Sequence, residues 1–287
     1  DLRRSRGLGD VYKRQRLDLA DFSLVKVTEH PHTETYPRVS PDGTRMVFAR
    51  AHQAWVSQRN TLAWDVVLLD FETGEEQVLA KGATAPNWIN TNEVSYLLDG
   101  QKVVRHNVAT GKTDLVLVPG RDNRLPASAK LQNPHVDPQS GEVSFTGRQN
   151  EIGSPHGHWG TALTNHSAIQ PVLEGCELRW WQDGSGLYQV TKGGRDDGLR
   201  IVSVSTDTLE PTTLIDLAGE FSHEYWPIES NDGRYMVFGA SRGKHAHEHD
   251  VADYEIFLWR RGSDPSTATR LTFHSGNDNW PSVYIEE

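Results

Sequence analysis

One phrase returns along this chain: an aromatic or small residue, a proline, a few residues, an Asp-Gly or similar turn, then a β-rich run. YPRVSPDGTRMVFAR carries it at Pro37, YWPIESNDGRYMVFGAS at Pro227, and CELRWWQDGSGLYQV at Leu178, which stands in the proline place. Weaker copies are APNWINTNEVSYLL at Pro86 and NPHVDPQSGEVSFTG at Pro134, and NWPSVYIEE at Pro281 is a truncated one. Successive anchors lie 44–54 residues apart. A period of that size implies stacked copies of one supersecondary unit, because no single copy can bury its own apolar surface.

Each copy reads as four short strands. In the first, YPRVS is strand A, Pro-Asp-Gly makes a tight turn, and TRMVFAR is strand B. WDVVLLDF is strand C, ETGE a second turn and EQVLA strand D. The second copy repeats the plan with KVVRHNV and TDLVLV, the fifth with YEIFLWR and ATRLTF. No helical periodicity separates them, so the pattern predicts an all-β, six-bladed propeller of four-stranded antiparallel blades.

Closure of the ring is expected to draw on both termini. Residues 279–285 read as strand A of blade six. RLDLA and FSLVKVTE read as the end of its strand C and its strand D, while its strand B and part of C are absent from the chain. Residues 1–15, DLRRSRGLGDVYKRQ, carry five basic residues against two acidic and lack the repeat pattern. They read as adapter-like, non-native sequence or a basic disordered leader, with residues 16–287 forming a single propeller domain.

The SPDG phrase with its β run, followed by LLDFETGEEQVLA and RLTF, resembles the TolB-like, WD40-like propeller repeat family over residues 26–287. The resemblance implies the six-bladed fold and a periplasmic or extracellular setting. It implies no single activity, because the fold hosts many.

Charge narrows the partners. The formal net charge is −10, and an acidic surface repels phosphate, so nucleic acid is not expected. No run of about 18–20 apolar residues is present, so no helical membrane span is expected. Cys176 is the single cysteine, which excludes an internal disulfide or a cysteine-based zinc cluster. It reads as a small buried apolar residue. Neither a G-x-S-x-G elbow nor a P-loop occurs.

The 13 histidines are the main chemical clue. In a propeller the D–A and B–C loops share one face. His30, His32, His223 and His274 precede strand A, and His52, His156, His158, His245, His247 and His249 fall in B–C loops. Three residues before the anchors of blades one, five and six stand Glu34, Glu224 and Asp278. Those blades are consecutive around a six-membered ring. The expected site is therefore a His- and acid-rich sector of the channel mouth. Glu34, His223, Glu224, Trp226, Asp278 and Trp280 are its candidate ligand-binding residues, and His245, His247, His249 and His274 its candidate metal ligands. Alternating histidines on extended backbone point to one side, and imidazole mixed with carboxylate suits Zn²⁺ or Mn²⁺. The competing readings are a solvated histidine loop and, for the two tryptophans, packing between blades.

Two functions follow as expectations. The first is a non-enzymatic binding protein that takes a protein or glycan ligand at this face. The second is a metal-dependent polysaccharide-processing enzyme, because SHEYWP (residues 222–227) with its following turn looks somewhat like oligogalacturonate lyases. Those are seven-bladed, and their full ligand set finds no match in this chain.

Overall fold

The computed structural model describes residues 14–121, 125–153, 159–165, 168–242, 249–250, 252–273 and 276–286. A short antiparallel hairpin comes first, β1 (Gln15–Leu17) with β2 (Leu24–Lys26). Five four-stranded antiparallel units follow. Unit one is β3 (Glu34–Val39), β4 (Arg45–Ala51), β5 (Trp64–Asp70) and β6 (Glu76–Lys81). Unit two is β7 (Ala83–Asn90), β8 (Glu93–Leu98), β9 (Lys102–Asn107) and β10 (Thr113–Leu117). Unit three is β11 (Gln132–Val136), β12 (Val143–Arg148), β13 (Trp159–Asn165) and β14 (Ala168–Glu174). Unit four is β15 (Cys176–Trp180), β16 (Leu187–Lys192), β17 (Leu199–Val204) and β18 (Pro211–Ile215). Unit five is β19 (His223–Glu229), β20 (Tyr235–Ser241), β21 (Tyr254–Arg260) and β22 (Thr269–Arg270). One parallel bridge, Leu199 to His223, ties units four and five into a continuous sheet.

The sheets are buried on both faces, and the core lies between neighbours. Val47, Val66 and Leu68 of unit one meet Ala83, Val94, Tyr96 and Val104 of unit two. Leu97 and Val103 of unit two meet Val143, Phe145 and Ala162 of unit three. Leu163 and Val172 of unit three meet Leu178, Leu187 and Val202 of unit four. Each Val, Leu or Phe among them contributes about 1.5–3 kcal/mol by leaving water, so a unit gains its stability from its neighbours. The second strand of every unit, held between the first and third, is almost wholly buried.

The repeat anchor has a backbone signature. The residue before it is left-handed in all six copies: Tyr36, Ala85, Asn133, Glu177, Trp226 and Trp280, with φ from 46° to 59°. In the five complete units this residue sits in a register shift of the first strand. A non-glycine residue in this region costs roughly 1–3 kcal/mol and persists only where its surroundings enforce it.

Residues 279–286 lack the strand expected at 279–285. The reason is pairing. Within each unit the first strand is laddered to the second, and no second strand stands beside this segment among the described residues. It is nevertheless seated between units one and five. The Ser282 hydroxyl accepts from the Val39 N–H at 3.3 Å, and Asn231 bonds both the N–H and the C=O of Ile285 at 2.7 and 3.0 Å. Gly43, left-handed at φ 73° in the Asp-Gly turn, lies under the Tyr284 ring, where a Cβ would collide with it.

Arg14 and Gln15, assigned by sequence to the leader, take part in the fold. Arg14 is buried, its C=O accepts from the Val27 N–H at 2.8 Å, and Gln15 opens β1. Among the described residues no helix is long and apolar enough to cross a membrane.

Candidate ligand site on the ring axis

The first strands of the units lie side by side, β3 against β7, β7 against β11 and β11 against β15. Their side chains therefore meet in tiers that can be counted from the anchor. One tier is the left-handed set. The Tyr36 hydroxyl donates to Asn133 Oδ1 at 3.1 Å, and Asn133 Nδ2 donates to Glu177 Oε1 at 3.4 Å. The Trp226 backbone N–H faces the Glu177 carboxyl. Trp280 stacks on Tyr36 with ring centroids 3.7 Å apart and lies 5.4 Å from Trp226. Contacts thus run around the set from unit one to the C-terminal segment and back.

The second tier is the residue after each anchor: Arg38, Asn87, His135, Arg179, Ile228 and Ser282. Asn87 Oδ1 accepts from Arg38 Nε at 3.2 Å and from Arg179 Nη1 at 2.8 Å. Asn87 Nδ2 donates to the Pro134 C=O at 3.1 Å, and Arg38 Nη1 reaches the C=O groups of Pro37 and Pro281 at 2.7 and 3.4 Å. His135 Nδ1 accepts from the Trp180 N–H at 3.2 Å.

This cluster is buried and unevenly compensated. Exposure is 5 % for Arg38, 3 % for Arg179 and 1 % for Glu177. Among the described residues Arg38 Nη2, Arg179 Nε and Glu177 Oε2 have no hydrogen-bond partner. No ion pair within contact distance joins Glu177 to either arginine among those residues, although their charges interact. Burial pushes the Glu177 carboxyl up to about 7, with the two guanidinium groups pulling the other way. Burial and the neighbouring Arg179 lower Arg38 to about 9. Burial and the two arginines together hold His135 well below the ordinary imidazole range. Two guanidinium groups against one carboxyl leave the cluster net positive in a buried setting, where an anion would be strongly held.

Of the residues singled out by sequence, Trp226 and Trp280 belong to the first tier, and the other described ones lie outside both tiers. Glu34 accepts from the Thr28 hydroxyl and from Arg50 Nε and Nη2 at 2.8 and 2.7 Å. The buried Arg14 guanidinium interacts with both Glu34 and Asp278. Two of the three expected carboxylates do converge, on a guanidinium supplied from the chain's first described residue. Glu224 accepts from the Leu217 N–H, and burial raises its carboxyl to about 8. His223 is buried at the start of β19. Trp226 and Trp280 are buried in the aromatic core. His249 packs on Tyr225 at 4.3 Å and Trp226 at 5.4 Å, and its C=O accepts from Asn277. His245, His247 and His274 lie outside the described residues, as do His156 and His158. Cys176 lies against the Tyr225 hydroxyl at 2.8 Å, and burial raises its thiol to about 12.

Among the described residues no group of three or more His, Cys, Asp or Glu side chains could hold an ion. Glu34 is already committed to Arg50 and Thr28, so it does not fit as a metal ligand.

Sequence reasoning named Trp226 and Trp280 of the first tier but missed the polar residues of the axial tiers, because it followed acidic charge three residues before the anchor. The signal was present one residue after the anchor, where Arg38, Asn87, His135 and Arg179 put a polar side chain into successive inner strands.

No protein-family description matches the chain, and no curated protein matches it by sequence. Solved structures do. TolB from Acinetobacter baumannii superposes with a TM-score of 0.62 at 13 % identity, covering 93 % of this chain and 61 % of that one. This chain thus spans under two thirds of that protein's length. A TolB candidate from Agrobacterium tumefaciens gives 0.63 at 12 % identity, with 93 % and 91 % covered. Oligogalacturonate lyase from Vibrio parahaemolyticus gives 0.53 at 14 % identity, with 91 % and 85 % covered. At these identities the likeness shows the fold, a TolB-like β-propeller.

Proposed function

We propose that this chain is a six-unit TolB-like propeller acting as a binding protein, and that it takes an anionic group of a protein or glycan ligand at the axial cluster. The carrying observation is the pair of buried guanidinium groups, Arg38 and Arg179, with N–H groups unmatched among the described residues. A carboxylate would accept from both in the bidentate fashion that guanidinium favours. The six-unit ring is supported by the sixth left-handed residue, Trp280, and by the bonds that hold 280–285 against units one and five. A periplasmic or extracellular setting belongs to the same reading.

Calorimetric titration with a hexaglutamate peptide and with oligogalacturonate tests it. Saturable binding to either, weakened at least about tenfold (roughly 1.4 kcal/mol) by Arg179→Gln, is expected. Heats that saturate equally in the variant, or none at all, would defeat it.

A divalent ion, Zn²⁺ or Mn²⁺, at His245, His247, His249 and His274 is the second proposal. It rests on the His-x-His-x-His run alone. Titration at pH 7.5 and 5.5 decides it, because an imidazole site loses affinity as its ligands protonate.

A further inference from the structure

Each charged group of the axial cluster is fixed by an amide or a backbone group and, among the described residues, none by an opposite charge in contact. The two amides are themselves locked. Asn87 Nδ2 donates to the C=O groups of Ala85 and Pro134 at 3.2 and 3.1 Å, which turns its oxygen toward Arg38 and Arg179. Asn133 Oδ1 accepts from the Tyr36 hydroxyl, which turns its nitrogen toward Glu177. A neutral amide positions a charge without cancelling it. Both guanidinium groups act through their charge on the Glu177 carboxyl. An anion seated on them acts on it as well, with the opposite sign.

We propose that the axial cluster takes its carboxylate ligand together with one proton, which Glu177 receives on Oε2. The inference rests on the anion-binding reading proposed above. That oxygen is buried and has no hydrogen-bond partner among the described residues. Two negative charges in one buried site repel each other strongly, and a proton on one of them removes the repulsion. The proton comes from solvent. The ligand carboxylate stays ionised on Arg38 and Arg179, and Glu177 becomes neutral and gains an O–H donor.

The groups that face Glu177 leave this part to it near neutral pH. Tyr36 on β3, Tyr225 on β19, Tyr254 on β21 and Cys176 on its own strand are all raised further above their ordinary values by burial. They stay neutral. Of the two cations, Arg38 is lowered to about 9 and remains charged below pH 8. His135, beside both arginines, is held well below the ordinary imidazole range and is neutral there. The Glu177 carboxyl, at about 7, is the one of these that changes charge between pH 6 and 8. Anion binding raises it further, so the bound state holds more protons than the free state and affinity grows as pH falls.

The test is calorimetric titration of the full chain with N-acetylated hexaglutamate, whose own carboxylates stay ionised between pH 6 and 8. At pH 7, titrations in HEPES and in Tris, which differ in ionisation enthalpy, should show uptake of roughly half a proton per ligand. About half of Glu177 is already protonated at that pH in the free protein. Kd should fall about five- to tenfold from pH 8 to pH 6. Glu177→Gln resembles the protonated form, so its proton uptake should be near zero and its Kd should change by less than about twofold over the same range. A Glu177 with a purely structural role would leave the uptake and the pH slope in place in the variant. Binding without proton uptake in the wild type, or uptake that persists in the variant, overturns the proposal and leaves the anion site standing. No binding at either pH defeats both. The wild-type uptake decides the matter even where the variant fails to fold.

Discussion

Two buried carboxylates on inner strands, Glu34 and Glu177, teach opposite lessons. Glu34 sits three residues before its anchor and meets Arg50, Thr28 and the field of Arg14. Glu177 sits one residue before its anchor, shares one oxygen with Asn133, and has a second oxygen unmatched among the described residues. The first is an internal strut whose charge the fold has neutralised. The second belongs to a cluster whose charges the fold has left in place without closing the account. Compensation marks structure, and its absence at a buried site marks a place where a ligand can contribute what the chain does not.

The sharpest way to break that contrast is to remove the strut. Glu34→Gln leaves Arg14 and Arg50 facing a neutral amide in a buried setting, and should destabilise by about 3 kcal/mol. Glu177→Gln should cost less than about 1 kcal/mol at pH 7, because its carboxyl is already half-protonated there. Urea unfolding of both variants measures the pair. Equal losses would erase the distinction.

A smaller effect separates the C-terminal segment from the rest of the ring. Gly43→Ala forces a left-handed alanine and drives its methyl into Tyr284, for about 1–3 kcal/mol. Gly233 occupies the matching turn of unit five at φ 69°, with only Glu229 Oε1 nearby at 3.3 Å. Gly233→Ala should therefore cost only the backbone part, about 1 kcal/mol. If both cost the same in thermal unfolding, the segment does not dock as described.

Smaller still is the response of the aromatic arc. Tyr36→Phe removes the hydroxyl that reaches Asn133 while keeping the ring on Trp280. A loss of about 1 kcal/mol is expected, with tryptophan fluorescence unchanged because the stacking survives.

Much of the fold was legible because the period was. Six anchors at near-even spacing require equal units, and the Asp-Gly turns at Gly43, Gly184 and Gly233 all adopt the left-handed glycine that a tight turn needs. The left-handed residue before each anchor was not legible. Residues that precede proline ordinarily favour extended backbone, and nothing in Tyr36 or Trp226 as residue types signals otherwise. That conformation interrupts simple alternation in the inner strand, so a face count made from residue numbers misplaces the side chains. Glu34 and Glu224 were placed at the channel mouth from loop position alone, and their carboxyls engage Arg50 and the Leu217 N–H. The same interruption hid Glu177 and Arg179, whose charges look like ordinary strand-edge residues in the sequence. Arg14 was hidden for another reason: its basic neighbours made it look like part of a leader.

The central claim, that the fold only partly compensates the burial of the Glu177 carboxyl, has a direct linkage test. Its carboxyl titrates near 4.5 when unfolded and about 7 when folded. The folded state therefore binds the proton more tightly, and stability falls as pH rises through that interval. Unfolding free energies of the wild type and Glu177→Gln should be measured by urea titration at pH 5.5 and 8.5. The account predicts that the wild type loses about 1–2 kcal/mol more than the variant over this range. Parallel losses in the two proteins would show that Glu177 is compensated after all, and would remove the axial cluster as the candidate site.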